Sequence, residues 1–135
     1  MQQLSALDNL MLEGELPNLP MHMSAIMIYD TKGKRGSARM LEMFQDRFLE
    51  NTEKHFPILL CKPERLPLHL DRAYWVEDPN FSLTHHLSHV ALPKSQDWAA
   101  LYRLFGDFHA QPLDTSRPLW QVMYVEGLDR LEGIP

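Results

Sequence analysis

The chain has 135 residues, 44% of them hydrophobic and 23% charged, with 13 Lys and Arg against 18 Asp and Glu for a net charge of −5. That apolar content at one-domain length excludes a disordered chain. The acidic balance argues against a nucleic-acid-binding protein, whose phosphate contacts need clustered Lys and Arg.

Ser5-Ala6-Leu7-Asp8 has capping-box spacing ahead of Leu10-Met11-Leu12 and predicts a helix over 5–13. Asp8 is expected to reach back to the cap amide, and Gly14, Pro17 and Pro20 end the helix. Residues 21–30 place Met21, Met23, Ala25, Met27 and Tyr29 on one face and His22, Ser24, Ile26, Ile28 and Asp30 on the other. That pattern predicts a strand in a sheet covered on both sides. After the glycine-bearing loop 31–36, residues 37–56 switch to helical period. Met40, Leu41, Phe44, Phe48 and Phe56 form the apolar stripe, and Pro57 stops the helix.

The apolar run 57–62 is expected to be a short strand. Tyr74-Trp75-Val76 is an extended piece within the proline-punctuated stretch 63–83, and residues 84–92 also read as extended. Ser95 is expected to cap a helix over 96–111, striped with Trp98, Leu101, Leu104, Phe105 and Phe108 and ended by Pro112. Residues 120–125 read as a buried strand, followed by a turn over 126–130. This order predicts an α/β or α+β layer with helices packed on a sheet. The last strand is apolar on both faces and wants neighbours that the chain does not obviously supply, so the chain is expected to be part of a larger domain.

A single cysteine, Cys61, excludes an intrachain disulfide framework and a multi-Cys zinc site and fits a reducing compartment. No run approaches the roughly 20 apolar residues of a membrane span. The start, Met1-Gln2-Gln3-Leu4, has no basic region leading into an apolar stretch, so no secretory leader is expected and the sequon Asn80-Phe81-Ser82 is expected to be unused.

The densest polar cluster is His85-His86-Leu87-Ser88-His89. On a strand, residues four apart stand about 13 Å from each other, too far to share one ion. On a helix no further ligand completes a tetrahedral set, so no metal site is expected. Nor does an acidic residue or glycine turn follow to orient a catalytic base, and a surface or hydrogen-bonded histidine group is the default. Cys61 lies in an apolar run and reads as a buried, inert thiol. No Gly-x-Ser-x-Gly elbow or Walker-type loop occurs. Lys32, Lys34 and Arg35 read as solvated residues, with contact to a phosphate or an anionic lipid head as the alternative. Eight Met leave room for an adaptable apolar pocket. Arg117-Pro118-Leu119-Trp120 sets a large aromatic where a strand enters the core, a packing role on composition alone.

Several segments in succession carry a resemblance. They are Leu4-Ser5-Ala6-Leu7-Asp8, Pro20-Met21-His22, Tyr74-Trp75-Val76-Glu77-Asp78-Pro79-Asn80-Phe81-Ser82-Leu83, His86-Leu87-Ser88-His89, Leu92-Pro93, His109-Ala110-Gln111-Pro112-Leu113-Asp114, Arg117-Pro118-Leu119-Trp120 and Glu126-Gly127-Leu128. Their order and spacing resemble the bacterial wax ester synthase/acyl-CoA:diacylglycerol acyltransferase family over essentially the whole chain.

The resemblance implies part of the N-terminal lobe of a chloramphenicol-acetyltransferase-like, CoA-dependent acyltransferase fold, in which two α/β lobes meet around a tunnel. A His-His-x-x-x-Asp-Gly motif sits between the lobes, and its second histidine is the implied general base. It takes the proton of a fatty alcohol or diacylglycerol hydroxyl, which attacks the acyl-CoA thioester to give wax ester or triacylglycerol and free CoA. No such motif occurs in the 135 residues, and His85-His86 falls on the family's non-catalytic His-rich strand. The chain is therefore expected to be an incomplete N-terminal lobe, ending at Pro135 short of the motif, with no catalytic residue and no activity alone. Pro118, Leu119 and Trp120 match a motif implied to shape the substrate region, where packing is an equal alternative for Trp120. The opening helix, from Leu4 to about Glu13, would line the acyl tunnel or pack in the core.

By the same resemblance, acyl-CoA serves as substrate and no cofactor is expected. The partners are the alcohol or diacylglycerol and the missing C-terminal part. The implied location is cytoplasmic, with peripheral contact at the inner membrane or lipid inclusions. The alternative function is a non-catalytic lipid- or partner-binding module derived from that lobe.

Overall fold

The computed structural model describes residues 1–29, 37–93, 97–128 and 131. Asp30, the basic loop with Lys32, Lys34 and Arg35, Ser95 and residues 129–130 lie outside the described residues, as does the side chain of Met40.

Helix α1 spans Ala6–Gly14, and Ser5 caps it, with the Asp8 N–H donating to Ser5 Oγ at 3.1 Å. The box closes differently from the expectation. Ser5 Oγ donates to Asp8 Oδ2 at 2.7 Å, and the cap amide is not engaged by Asp8, whose side chain is one methylene shorter than that of Glu. Strand β1, Gln2–Gln3, precedes the helix and pairs antiparallel with a later strand; two polar residues gave no pattern to announce it. Leu4, 1% exposed, follows, its N–H on the Ala73 carbonyl at 2.9 Å.

The strand expected over 21–30 does not form across 21–29. Among the described residues no strand pairs with this segment, and Met23, Met27 and Tyr29 are 88%, 73% and 67% exposed. Alternation states which faces a strand would bury, but a strand exists only with a neighbour to complete its ladder.

Helix α2 spans Ser37–His55 and ends before Pro57, as the period predicts. The expected strand 57–62 is half right. Pro57–Leu60 is a 3-10 turn, since proline suits the first helical position, and strand β2 begins only at Cys61 and runs to Glu64. Strand β3, Tyr74–Glu77, lies between β1 and β2 in a three-stranded antiparallel sheet, with Cys61 opposite Glu77 and Glu64 opposite Tyr74. Pro63 is tolerated in β2 because that strand is an edge.

Strand β4, Leu87–Ala91, and strand β5, Val122–Glu126, pair in parallel with Leu87 opposite Val122. Helix α3, Trp98–His109, lies between them in the chain, giving a β-α-β crossover. The cap of α3 is Asp97, whose carboxylate accepts from the Ala100 N–H at 3.0 Å, rather than Ser95. Leu92, Leu101 and Leu131 form the core of this unit, with Trp98, Leu104, Val125 and Leu128 against it.

The accessible surface is 10066 Å². A compact monomer of 15.8 kDa is expected to show about 7,300 Å². Every residue of β5 is only half-buried, and β4 is its one neighbour among the described strands.

Cys61 is half-buried rather than fully buried, and its thiol donates to the Pro57 carbonyl at 3.5 Å. Burial, and then the Glu77 carboxylate, push the thiol above its ordinary range. At about pH 8 Cys61 should therefore react with Ellman's reagent more slowly than free cysteine, the gap closing as pH rises; equal rates at that pH would contradict this.

Gly127 has a φ of +91°, and a Cβ there would stand 3.1 Å from the Leu92 carbonyl oxygen. Gly127→Ala should lower stability by about 1–3 kcal/mol, read as a fall in thermal midpoint.

Candidate functional site

The segment leading into β5 is held from both sides. At its start Asp114 accepts the Ser116 N–H at 2.9 Å, the Ser116 hydroxyl at 2.7 Å and Arg117 Nε at 3.1 Å. The Ser116 hydroxyl above all, then its N–H and Arg117, keep the Asp114 carboxyl below its ordinary range. Pro118 is buried. Trp120 Nε1 donates to the Leu59 carbonyl at 2.7 Å, while its own carbonyl accepts from His86 Nδ1 at 2.8 Å. The Trp120 ring stacks on His86 at 4.4 Å between centroids and packs on Phe48 at 4.8 Å.

Below this segment opens a cavity of about 320 Å³, at the lower end of small-molecule sites. Its wall comes from α1 and its flanks (Leu4, Asp8, Met11, Leu12, Glu15), from Met21 to Ser24, from Trp75 of β3, from Phe108 of α3, and from Gln111, Leu113, Leu119, Trp120 and Gln121. Of the three residues singled out from the sequence, Leu119 and Trp120 line the cavity and Pro118 does not. Of the two roles expected for the opening helix, α1 takes that of a wall: Met11 and Leu12 line the cavity, none of its residues is buried, and the buried anchor Leu4 lies just before it.

The polar part of the wall was not foreseen. His22 Nε2 donates to the His109 carbonyl at 2.9 Å, and Ser24 Oγ and His109 Nδ1 share a hydrogen bond of 2.9 Å. The two imidazoles meet edge-on at 4.9 Å. His22 Nδ1 lies 3.5 Å from Glu15 Oε1. These contacts tie the end of α1, residues 22–24 and the end of α3 together. Their sequence separation, 85 and 87 residues, hides them from any local pattern. The one signal available was that His22 and His109 both fall within the segments that carry the family resemblance.

The three clustered histidines take three separate roles. His85 is exposed, His86 is 4% exposed and hydrogen-bonded, and His89 Nε2 meets Glu126 Oε1 at 2.7 Å across the β4–β5 pair. Among the described residues no three His, Cys, Asp or Glu gather as a metal site. The arrangement therefore reads as a mainly apolar wall with a polar end, suited to binding a chain-bearing molecule.

The model of the wax ester synthase/diacylglycerol acyltransferase catalytic domain matches residues 4–132. A Mycobacterium tuberculosis protein named as a diacylglycerol O-acyltransferase is 34% identical over 99% of this chain and 26% of its own length. A second protein of that organism and of that name is 35% identical over 63% of this chain and 32% of its own. This chain thus spans about a quarter to a third of the length of these relatives. The wax ester synthase/diacylglycerol acyltransferase from Marinobacter aquaeolei VT8 superposes with a TM-score of 0.68 at 24% identity, covering 98% of this chain and 30% of that one. The fold is accordingly that of the chloramphenicol-acetyltransferase-like acyltransferases, and the chain belongs to the wax ester synthase/diacylglycerol acyltransferase family.

Proposed function

We propose that these 135 residues are the N-terminal part of an acyl-CoA-dependent O-acyltransferase that makes wax esters, triacylglycerol or both from fatty alcohol or diacylglycerol. They furnish one wall of its substrate site, through Leu119 and Trp120 with α1, Pro118 being buried behind them, while the catalytic base lies outside them. The observation that carries this reading is the cavity in which α1 and Leu119–Trp120, two separate family-like segments, share one apolar wall. An alcohol is a poor nucleophile at neutral pH and needs a base within hydrogen-bonding reach, whereas the thioester already has a good leaving group. The large apolar exposure of Met23, Met27 and Tyr29 supports contact with a lipid surface. Among the described residues no helix is long and apolar enough to cross a membrane.

The reading is tested by acyl transfer from palmitoyl-CoA to hexadecanol or dioleoylglycerol, followed as thiol release. The chain alone should be silent, and the chain joined to a segment carrying His-His-x-x-x-Asp-Gly should form ester. Ester from residues 1–135 alone would overturn it, and silence in both forms would favour a non-catalytic lipid- or partner-binding module.

Within the active form, Leu119→Ala widens the cavity and should shift preference toward longer or bulkier chains. Pro118→Ala should lower the thermal midpoint and leave the preference unchanged. Trp120→Phe removes the donor to the Leu59 carbonyl and should cost about 1 kcal/mol of stability in a denaturant titration.

A further inference from the structure

Leu119 reaches the cavity from a tight piece of backbone. The Trp120 N–H donates to the Pro118 carbonyl at 2.9 Å, closing a three-residue turn with Leu119 at its apex. Such a turn rests on one hydrogen bond and needs support from outside to keep its shape. The support is the bond from His86 Nδ1 to the next carbonyl, that of Trp120, at 2.8 Å. A carbonyl can only accept, so Nδ1 carries a ring proton. His86 is itself immobilised. It is 4% exposed, its ring stacks on Phe81 at 5.2 Å and on Trp120 at 4.4 Å, and its own carbonyl takes the Val122 N–H at 2.8 Å.

Removing the donor on His86 would leave the Trp120 carbonyl buried and unpaired, so the peptide after Trp120 would turn to find another partner. The indole stays anchored on the Leu59 carbonyl, and Val122 stays anchored on the His86 backbone. Between these anchors the change is taken up by Leu119, Trp120 and Gln121, and all three line the cavity. His86 is not in the cavity wall, so it acts on a bound molecule only through that turn. We propose that His86 is a positioning residue that sets the length of alkyl chain the cavity accepts, by holding Leu119 at the apex of the turn. The biological sense of this role rests on the proposed substrate wall, but the role itself is tested by binding, without acyl transfer.

The test is titration of the 135-residue chain with a series of 1-bromoalkanes, from hexyl to tetradecyl, read as quenching of tryptophan emission, since Trp75 and Trp120 both line the cavity. Affinity should rise about fourfold with each methylene that is buried and then level off. The length at which it levels off is the readout. His86→Phe keeps a ring for the stack and removes the donor. His86→Asn removes the ring, and its amide nitrogen can donate from the place of Nδ1. Both should lower the thermal midpoint, but only His86→Phe should carry the limit to longer chains, the chain two carbons beyond the wild-type limit gaining about tenfold in affinity. If the phenylalanine variant does not fold, His86→Leu removes the same donor with a smaller side chain and is held to the same expectation. An unchanged limit in the variant without a donor, a limit moved equally by His86→Asn, affinity that never levels off in the wild type, or no quenching at any length would each overturn the proposal. A limit that moves as expected, with no ester from the extended form, would count against the acyltransferase reading alone, and ester formation with an unmoved limit would count against the role of His86 alone.

Discussion

The hydrogen bond from His86 Nδ1 to the Trp120 carbonyl, 2.8 Å long, fixes the loop 117–121 against the parallel strand pair. His86 immediately precedes β4 and Val122 opens β5, and the Val122 N–H donates to the His86 carbonyl at 2.8 Å. Backbone and side chain of one buried histidine therefore hold both ends of the approach to β5. With its carbonyl fixed, Trp120 has its indole against His86 and Phe48 and its N–H on Leu59. Leu119 is left facing the cavity. A buried polar group with partners on all sides specifies one arrangement, because every alternative leaves a donor or acceptor unpaired.

The same histidine shows what a sequence conveys and what it conceals. His85, His86 and His89 read as one cluster, and on a strand His85 and His89 stand too far apart to share one ion. Their separate roles follow from β4 lying parallel to a strand more than thirty residues away, which sets Glu126 beside His89 and Trp120 over His86. The two long helices were legible because their stripes repeat over several turns, and Ser5 because a cap acts within three residues. The cap of α3 fell on Asp97 instead of Ser95, the kind of shift that neighbouring polar residues permit at a helix start. Trp120 was singled out through the motif it belongs to, and it lies in the cavity wall while also packing on His86 and Phe48.

Residues 21–29 mark the limit of that legibility. Their alternation is real, and Met23, Met27 and Tyr29 do share one face in the pattern, yet they stand exposed. Pattern describes what a segment would bury given a partner; it does not supply the partner. Glu15, His22 and His109 were illegible for a related reason. Each is an ordinary polar residue in its local context, and their meaning comes only from a meeting of α1, an irregular segment and the end of α3.

The composition of the cavity divides its labour. Met11, Met21 and Met23 give it unbranched side chains that fill irregular gaps, so as part of the proposed substrate site this wall would discriminate weakly between chains. One methylene more or less in such a wall changes affinity by about 1–3 kcal/mol at most. Polar groups discriminate more sharply, because a ligand that fails to pair with them leaves them buried and unsatisfied. At the polar end of the cavity Glu15 Oε1 and His22 Nδ1 lie 3.5 Å apart, within ion-pair reach. In the proposed substrate site, chain length would be limited by the volume enclosed by α1, Phe108 and Leu119.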